Sequence, residues 1–457
     1  MTEYLNYQGS ELAKSLLLFS KGEKVYKTDI ESINFLKIFG ANCFGNKLDK
    51  ASFVDRIKWV EDNIENIKKF DNGILISKSE NKLLFISFCF EFNNYLNSLR
   101  ENLPYFITHL PVQLDASCNG FQHLTFLIGD LALSEELNLS KSNWTETPKD
   151  FYSFIALKVK EFFNKELYNN KDLSIEEFES YKKLANLDIY RALYKKVIMT
   201  WPYNVSSYSM TNYFKEEFNF IEKDKYMFKF DNNIIFKEID FQILRKALIS
   251  VLLNDFPRLK SFINYLKDIA KISNELEIQI PWILPTGLIV QQQYYAKKKI
   301  KVKPYIYSKD LLTLNIPIKT KFNTQKQIRA FMPNLVHSLD AATLSLLIDI
   351  FFKENKYQNF YSVHDCFAVT CNNVTSIYKI LKAVYAAIYS KEPYLKELHE
   401  YFLKNIEKLY GSNSYNSKEN TITIFKNNEY KFIKYPDIKK VINIHSINIE
   451  ESSYLIH

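Results

Sequence analysis

Apolar residues fall at helical spacing through SFVDRIKWVEDNIENIKKF (52–70), and most of residues 1–100 reads the same way. HLPVQLD (109–115) breaks that rhythm. It alternates Leu110, Val112 and Leu114, then ends on Asp115, which predicts a strand. NGFQHLTFLIGDLAL (119–133) follows as a turn and an apolar helix, and residues 145–335 read as helix-rich, with polar insertions near 168–180 and 222–234. Within that region KKKIKVK (297–303) sets Lys299, Lys301 and Lys303 against Ile300 and Val302, a strand with one basic face. A helix from about 335 leads to NFYSVHDCFAVTC (359–371), two short apolar strands with Asp365 at the tip of a tight hairpin. Residues 411–430 form a polar Ser/Asn stretch that is expected to precede an irregular end. This order of elements predicts an α+β chain.

At 457 residues the chain is long enough to bury a large core, and its 47% hydrophobic and 16% aromatic content excludes a disordered chain. Uninterrupted apolar runs stay short of the 18–20 residues that span a bilayer, and TLSLLIDIFF reads as a buried helix, so no membrane partner is expected. The net charge of +8 is carried almost wholly by lysine, and abundant Lys, Asn, Ile, Phe and Tyr reflect AT-rich codons. That discounts lysine-rich stretches as signals and makes Arg56, Arg100, Arg191, Arg245, Arg258 and Arg329 better markers. The five cysteines show neither CxxC nor Cys/His spacing, which argues against a zinc site and for a reducing compartment. The N-terminal residues, with Glu3 and Glu11 and no arginine, do not resemble a secretory or transit peptide.

An acid at the tip of an apolar hairpin is costly if buried alone. Asp115 admits a plain reading, an Asx turn or helix N-cap. It also admits a sharper one, in which the sheet brings Asp115 and Asp365 to one edge. Two carboxylates about 3–5 Å apart repel unless cations lie between them, and a pair of Mg²⁺ ions is the usual solution in phosphoryl transfer. In YRALYKKVIMTWPYN (190–204), Arg191, Lys195 and Met199 fall at i, i+4 and i+8 on one helix face, and Pro202 is expected to end the helix near Trp201. Those cations form either a solvated basic face or, since Ala192, Leu193, Val197 and Ile198 bury the other side, a cradle for a triphosphate.

LDASCNGFQH (114–123), RALYKKVIMTWPYN (191–204), MPNLVHSLDA (332–341) and SVHDCF (362–367) together resemble the motifs of single-subunit, bacteriophage- and mitochondrial-type RNA polymerases. YQGSELAKSLLLFSKG, FGANCFG, DRIKWVEDNIENI and LLFISFCFEF extend the resemblance, in order, over nearly the whole chain. PYN at 202–204, where many relatives have glycine after the tyrosine, resembles the branch encoded on mitochondrial linear plasmids. Asn204 is expected to tolerate the left-handed turn this requires.

The resemblance implies a right-hand polymerase fold, a palm with a small antiparallel sheet plus helical fingers. Residues 1–144 would be the first part of the palm, 145–335 the fingers, and 336–457 the rest of the palm and a tail. It implies that Asp115 and Asp365 bind two Mg²⁺ ions. Arg191 and Lys195, with Lys50 as a third cation, would hold the triphosphate. Tyr203, beside His337, would select ribose, and His364 would support Asp365. Implied partners are a DNA template, nascent RNA and ribonucleoside triphosphates. The thumb and promoter-reading N-terminal region are expected to be absent, so a separate N-terminal portion or a transcription factor is a further implied partner. The implied location is mitochondrial, from an organelle or plasmid gene, or cytoplasmic if encoded elsewhere. Two alternatives stand beside RNA synthesis. One is a catalytically silent remnant that at most binds nucleic acid. The other is a family A-like DNA polymerase, against which Cys366 stands where glutamate would be expected.

Overall fold

A computed structural model of the chain describes residues 11–169, 172–188, 190–303, 312–354, 359–363, 365–389, 393–426, 429–442 and 447–456. His364 and Gln8-Gly9 lie outside the described residues. The chain is a mixed α+β structure, mostly helical, and its strands form six small antiparallel sheets among the described residues.

Local signals account for many helix ends. Ser52 caps Phe53–Asp62 by accepting the Asp55 N–H at 3.0 Å. Ser174 and Glu177 close a capping box on Ile175–Asn186. Pro257 opens Pro257–Leu276, whose Leu259, Phe262, Leu266, Ile269 and Ile272 bury one stripe.

At the centre lies Thr324–Glu354, which starts eleven residues before the expected 335 and carries Pro333 inside it. By length and apolar composition it could cross a bilayer, but Phe331, Leu335, Val336, Leu339, Leu347 and Phe351 are buried within the protein. It packs against Pro257–Leu276, Val374–Tyr389 and Asn119–Ile128.

The sheet that positions the site has the order Tyr361–Val363, Cys366–Val369, Val112–Leu114, with Cys366–Val369 in the middle. Val363 pairs with Cys366, and Phe367 with Leu114. Val112 and Leu114 are buried on either side of half-buried Gln113, the alternation expected of that strand, whereas Phe367, Ala368 and Val369 are all buried, so the middle strand is covered on both faces.

Two segments depart from expectation. The polar Ser/Asn stretch is itself structured: Tyr415–Asn416, Thr421–Lys426 and Glu429–Lys434 form a three-stranded sheet, and only beyond Lys434 do the described residues run irregularly, apart from the short turn Ile438–Lys440. Ile422, Ile424 and Ile433 anchor one face of it, a pattern masked by the surrounding Ser and Asn. The polar insertion near 222–234 likewise belongs to the meander Phe218–Glu222, Lys225–Phe228, Ile235–Phe236, held by packed Phe218, Phe228, Phe236 and Phe241.

Candidate active site

Extending the Phe367–Leu114 register by one residue sets Asp115 opposite Cys366, with Asp365 next along the chain. Both aspartates therefore emerge at the same end of the sheet, and both line a cleft of about 660 Å³. Lys50, Arg191, Lys195, Tyr203 and His337 line that same cleft. Seven residues singled out from distant points in the sequence thus meet around one space.

Asp115 faces the cleft and accepts the Ala116 N–H at 3.1 Å. Protein crowds its carboxyl on the remaining sides, and this desolvation raises its pKa, opposed by the charges of Lys14, Lys195 and Lys50. The neighbouring Cys366 thiol is pushed up to about 12 by burial and by the negative charge of Asp115 and Asp365, so it stays neutral. After Asp115 the chain turns into Asn119–Ile128 through Cys118, a buried residue held at φ 134°. Such a backbone is rare for a residue with a side chain, and it stores strain beside the site.

Arg191–Thr200 buries Leu193, Tyr194, Val197 and Ile198 and turns Arg191, Lys195 and Met199 to the cleft. Arg191 has a partner that the sequence reading did not identify. Its Nε donates to Asp150 Oδ2 at 2.8 Å, and its guanidinium lies 4.9 Å over the Tyr152 ring. Asp150 also accepts from Ser153 Oγ at 2.7 Å and the Tyr152 N–H at 3.2 Å, so it caps Phe151–Asn169 while orienting the arginine. The available signal was TPKDFYS, which reads as a helix cap and nothing more. Lys195 forms no hydrogen bond or ion pair among the described residues. Burial and the positive charges of Arg191 and Lys50 lower its pKa, partly offset by Asp115.

The helix ends at Thr200, and Trp201–Tyr203 makes a single tight turn with Pro202 inside it. Asn204 adopts the left-handed conformation (φ 54°, ψ 49°) expected of it, and its side-chain amide donates to Arg329 O at 2.7 Å. Tyr203 stacks on His337, ring centres 4.4 Å apart at 20°. Burial and the charges of Asp340 and Asp365 push the Tyr203 phenol up, so its hydroxyl is a neutral hydrogen-bonding group. Gly120 permits this approach: a Cβ there would lie 3.0 Å from both Pro202 Cβ and Tyr203 Oη.

One helical turn after His337, Asp340 brings a further carboxylate to the cleft wall. Asn119 Nδ2 donates to it at 2.6 Å, and His123 Nε2 stands 3.8 Å away. Burial raises the Asp340 pKa, but His123, Asn119 and the charge of His337 outweigh it and hold the carboxyl below its ordinary value. Tyr385 and Tyr389 complete this buried network through Asn119 and His123. Asp340 was visible inside MPNLVHSLDA, but only the fold joins it to Asn119.

A family model of the DNA-dependent RNA polymerase matches residues 27–447. The chain belongs to the DNA-dependent RNA polymerase family. Over its full length it is 45% identical to a probable DNA-directed RNA polymerase of Podospora anserina, covering 48% of that protein. A probable DNA-directed RNA polymerase of Neurospora crassa is 33% identical over 92% of the chain and 46% of its own length. DNA-directed RNA polymerase 1, mitochondrial, of Arabidopsis thaliana is 28% identical over 88% of the chain and 39% of its own length. The chain thus spans about half, or less, of the length of these polymerases. The motif order read as a resemblance to single-subunit RNA polymerases identified the family correctly.

Proposed function

We propose that this cleft carries out DNA-templated RNA synthesis, joining the α-phosphate of a ribonucleoside triphosphate to the 3′-hydroxyl of an RNA with loss of pyrophosphate. The observation that carries this reading is convergence. Two sheet-end aspartates, the Arg191–Lys195 face and the stacked Tyr203–His337 pair open onto one space of nucleotide size. In this reading Arg191 and Lys195, with Lys50, hold the triphosphate, and Asp150 fixes Arg191 through Nε, which leaves the guanidinium's outer edge for phosphate. Tyr203 and His337 meet the ribose, the hydroxyl of Tyr203 reading the 2′-position. His364 is assigned to support Asp365.

The residues present fit magnesium. Among the described residues no cluster of three His, Cys, Asp or Glu forms a closed metal cage. Mg²⁺ suits an open site of one or two carboxylates completed by water and substrate phosphates, and Asp115 and Asp365 supply such hard oxygen donors. The crowding that raises the Asp115 pKa is itself relieved by a cation. When bound, two Mg²⁺ ions would lower the pKa of the attacking hydroxyl and offset charge on the transferred phosphate.

We assign 1–144 and 336–457 to a palm and 145–335 to fingers, in a right-hand polymerase arrangement. The partners are a DNA template, nascent RNA and, because the chain spans half of its relatives, a further polymerase portion or factor. Similarity to mitochondrial RNA polymerases such as the Arabidopsis protein supports a mitochondrial location.

Primed-template extension by the 457-residue chain with Mg²⁺, comparing ribonucleotides and deoxyribonucleotides, tests the reading. Ribonucleotide addition is expected, with Asp365→Asn lowering the rate by at least about a thousandfold, the equivalent of several kcal/mol of lost transition-state stabilisation. Equal rates from wild type and Asp365→Asn would sink the catalytic assignment. Preference for deoxyribonucleotides would move it to DNA synthesis.

A further inference from the structure

Arg56 is fully buried, and among the described residues it forms no ion pair with a carboxylate. A buried charge without a counter-ion is expensive, so its hydrogen bonds identify what it does. Nε donates to Ala51 O at 3.0 Å, Nη2 to Asp49 O at 3.0 Å, and Nη1 to Asn42 Oδ1 at 2.8 Å. The two carbonyls flank Lys50 on either side. Asn42 belongs to Ile30–Phe44, so one planar guanidinium ties the turn to a rigid core helix. The Phe53 ring lies 5.0 Å from the guanidinium and seals it from water.

The turn closes on itself through the Leu48, Lys50 and Ala51 amides, which donate to Gly45 O, Lys47 O and Leu48 O, and Leu48 packs on the core; Arg56 adds the tie from the turn's carbonyls to Asn42. Leu48–Lys50 is a three-residue helical turn entered through Lys47 in the left-handed conformation (φ 68°). Among the described residues Lys50 itself pairs only with its neighbour Asp49, at 3.1 Å. Yet its charge reaches across the cleft to both Asp115 and Lys195. Arg56 is also one of six arginines in a chain whose codon usage favours lysine.

We propose that Arg56 is a positioning residue: its guanidinium clamps the carbonyls of Asp49 and Ala51 to Asn42, and so holds the Lys50 ammonium at the triphosphate side of the cleft. A lysine cannot do this work, because three donors on one nitrogen cannot span three acceptors spread along a planar fork. The inference rests on the polymerase reading for its ligand, but not for the clamp itself.

The test uses the full 457-residue chain with two readouts. Hydrogen exchange of the amides of residues 48–51 reports the clamp, and equilibrium binding of a fluorescent ribonucleoside triphosphate with primed template reports its consequence. Arg56→Lys is expected to speed exchange at 48–51 and to weaken triphosphate binding about tenfold, the scale of one charge-assisted contact. In extension assays the loss should appear in KM with kcat retained. Lys50→Met should weaken binding equally without changing exchange. The double variant should be no worse than either, because both act through one group.

Additive losses, or wild-type binding by Arg56→Lys alongside weakened Lys50→Met, would overturn the inference. If Arg56→Lys does not fold, Asn42→Ala removes one acceptor and leaves the turn carbonyls intact. It is expected to give the same pattern at smaller amplitude, and unchanged exchange there would also overturn it. A wild type that binds no triphosphate overturns the polymerase reading and the link to binding together. That outcome is recognisable because the exchange difference at 48–51 persists.

Discussion

Gly120 shows how little room the site leaves. Its missing side chain lets Asn119–Ile128 approach the Trp201–Tyr203 turn, and Pro202 Cβ would sit 3.0 Å from an added methyl. Pro202 has a ring that cannot rotate away, and Tyr203 is pinned against His337. Gly120→Ala should therefore displace the tyrosine by a few tenths of an ångström and cost about 1 kcal/mol of stability by overpacking. The expected signature is a small fall in melting temperature with a clear loss of ribose-over-deoxyribose discrimination in extension assays. A variant with unchanged discrimination would show that the Tyr203 position is not set by this contact.

At the same scale, the sequence and the fold divide the work unevenly. Asp115 and Asp365 were readable because each closes a short apolar strand, and Asn204 because few side chains accept a left-handed turn. Asp150 and Arg56 were not, since their partners lie 41 residues away at Arg191 and 14 away at Asn42. Capping and charge signals alone do not predict such contacts.

Elements were legible where one period dominates. The 359–371 hairpin and the Arg191–Thr200 helix stand where alternation and helical spacing put them. The C-terminal sheet was hidden because few of its described residues, chiefly Ile422, Ile424 and Ile433, are buried, while exposed Phe425, Tyr430 and Phe432 blur the alternation.

Just past that sheet, Tyr435 packs on His399 of Tyr394–Tyr410. His399 Nδ1 is 3.0 Å from Tyr265 Oη, and the ring packs edge-on to Tyr435 at 4.9 Å. Burial pushes the His399 pKa down to about 4, against the opposing pull of Glu400 and Asp437. Between pH 4 and the ordinary value of 6.5, the unfolded chain binds a proton that the folded chain does not. Stability therefore rises with pH across this window and is lost on acidification, by at most about 3 kcal/mol. His399→Gln, which keeps a hydrogen-bonding group without titrating, should flatten the melting-temperature profile between pH 6.5 and 4 relative to wild type. Parallel profiles would assign the acid sensitivity to other groups.

For the whole molecule, the family was legible from ordered motifs, but the disposition of charge was not. Net charge of +8 in an AT-biased chain says little by itself. The fold concentrates part of it on one ribbon, Tyr295–Val302 paired with Leu312–Phe322. Lys299 and Lys301 share one face, as the alternation of KKKIKVK anticipated, and Lys297 joins them opposite Pro317, while the expected Lys303 falls just beyond the strand. The other face carries Lys298 beside Ile300, Val302, Leu312, Leu314 and Ile316, and most of the ribbon is exposed. A two-stranded ribbon with three lysines at alternate positions is matched in spacing and charge to a nucleic-acid backbone. In the polymerase reading it is a contact to template or duplex. Lys299→Glu with Lys301→Glu should then weaken duplex DNA binding uniformly across sequences. It should also lower the slope of log affinity against log salt by about 2, since each phosphate contact contributes about 0.9. Fluorescence anisotropy at several salt concentrations measures both quantities. Weakened binding with an unchanged slope would mean that the substitutions disturbed the ribbon's shape and not its phosphate contacts. An unchanged affinity would leave the cleft lysines, not the ribbon, as the source of attraction for nucleic acid.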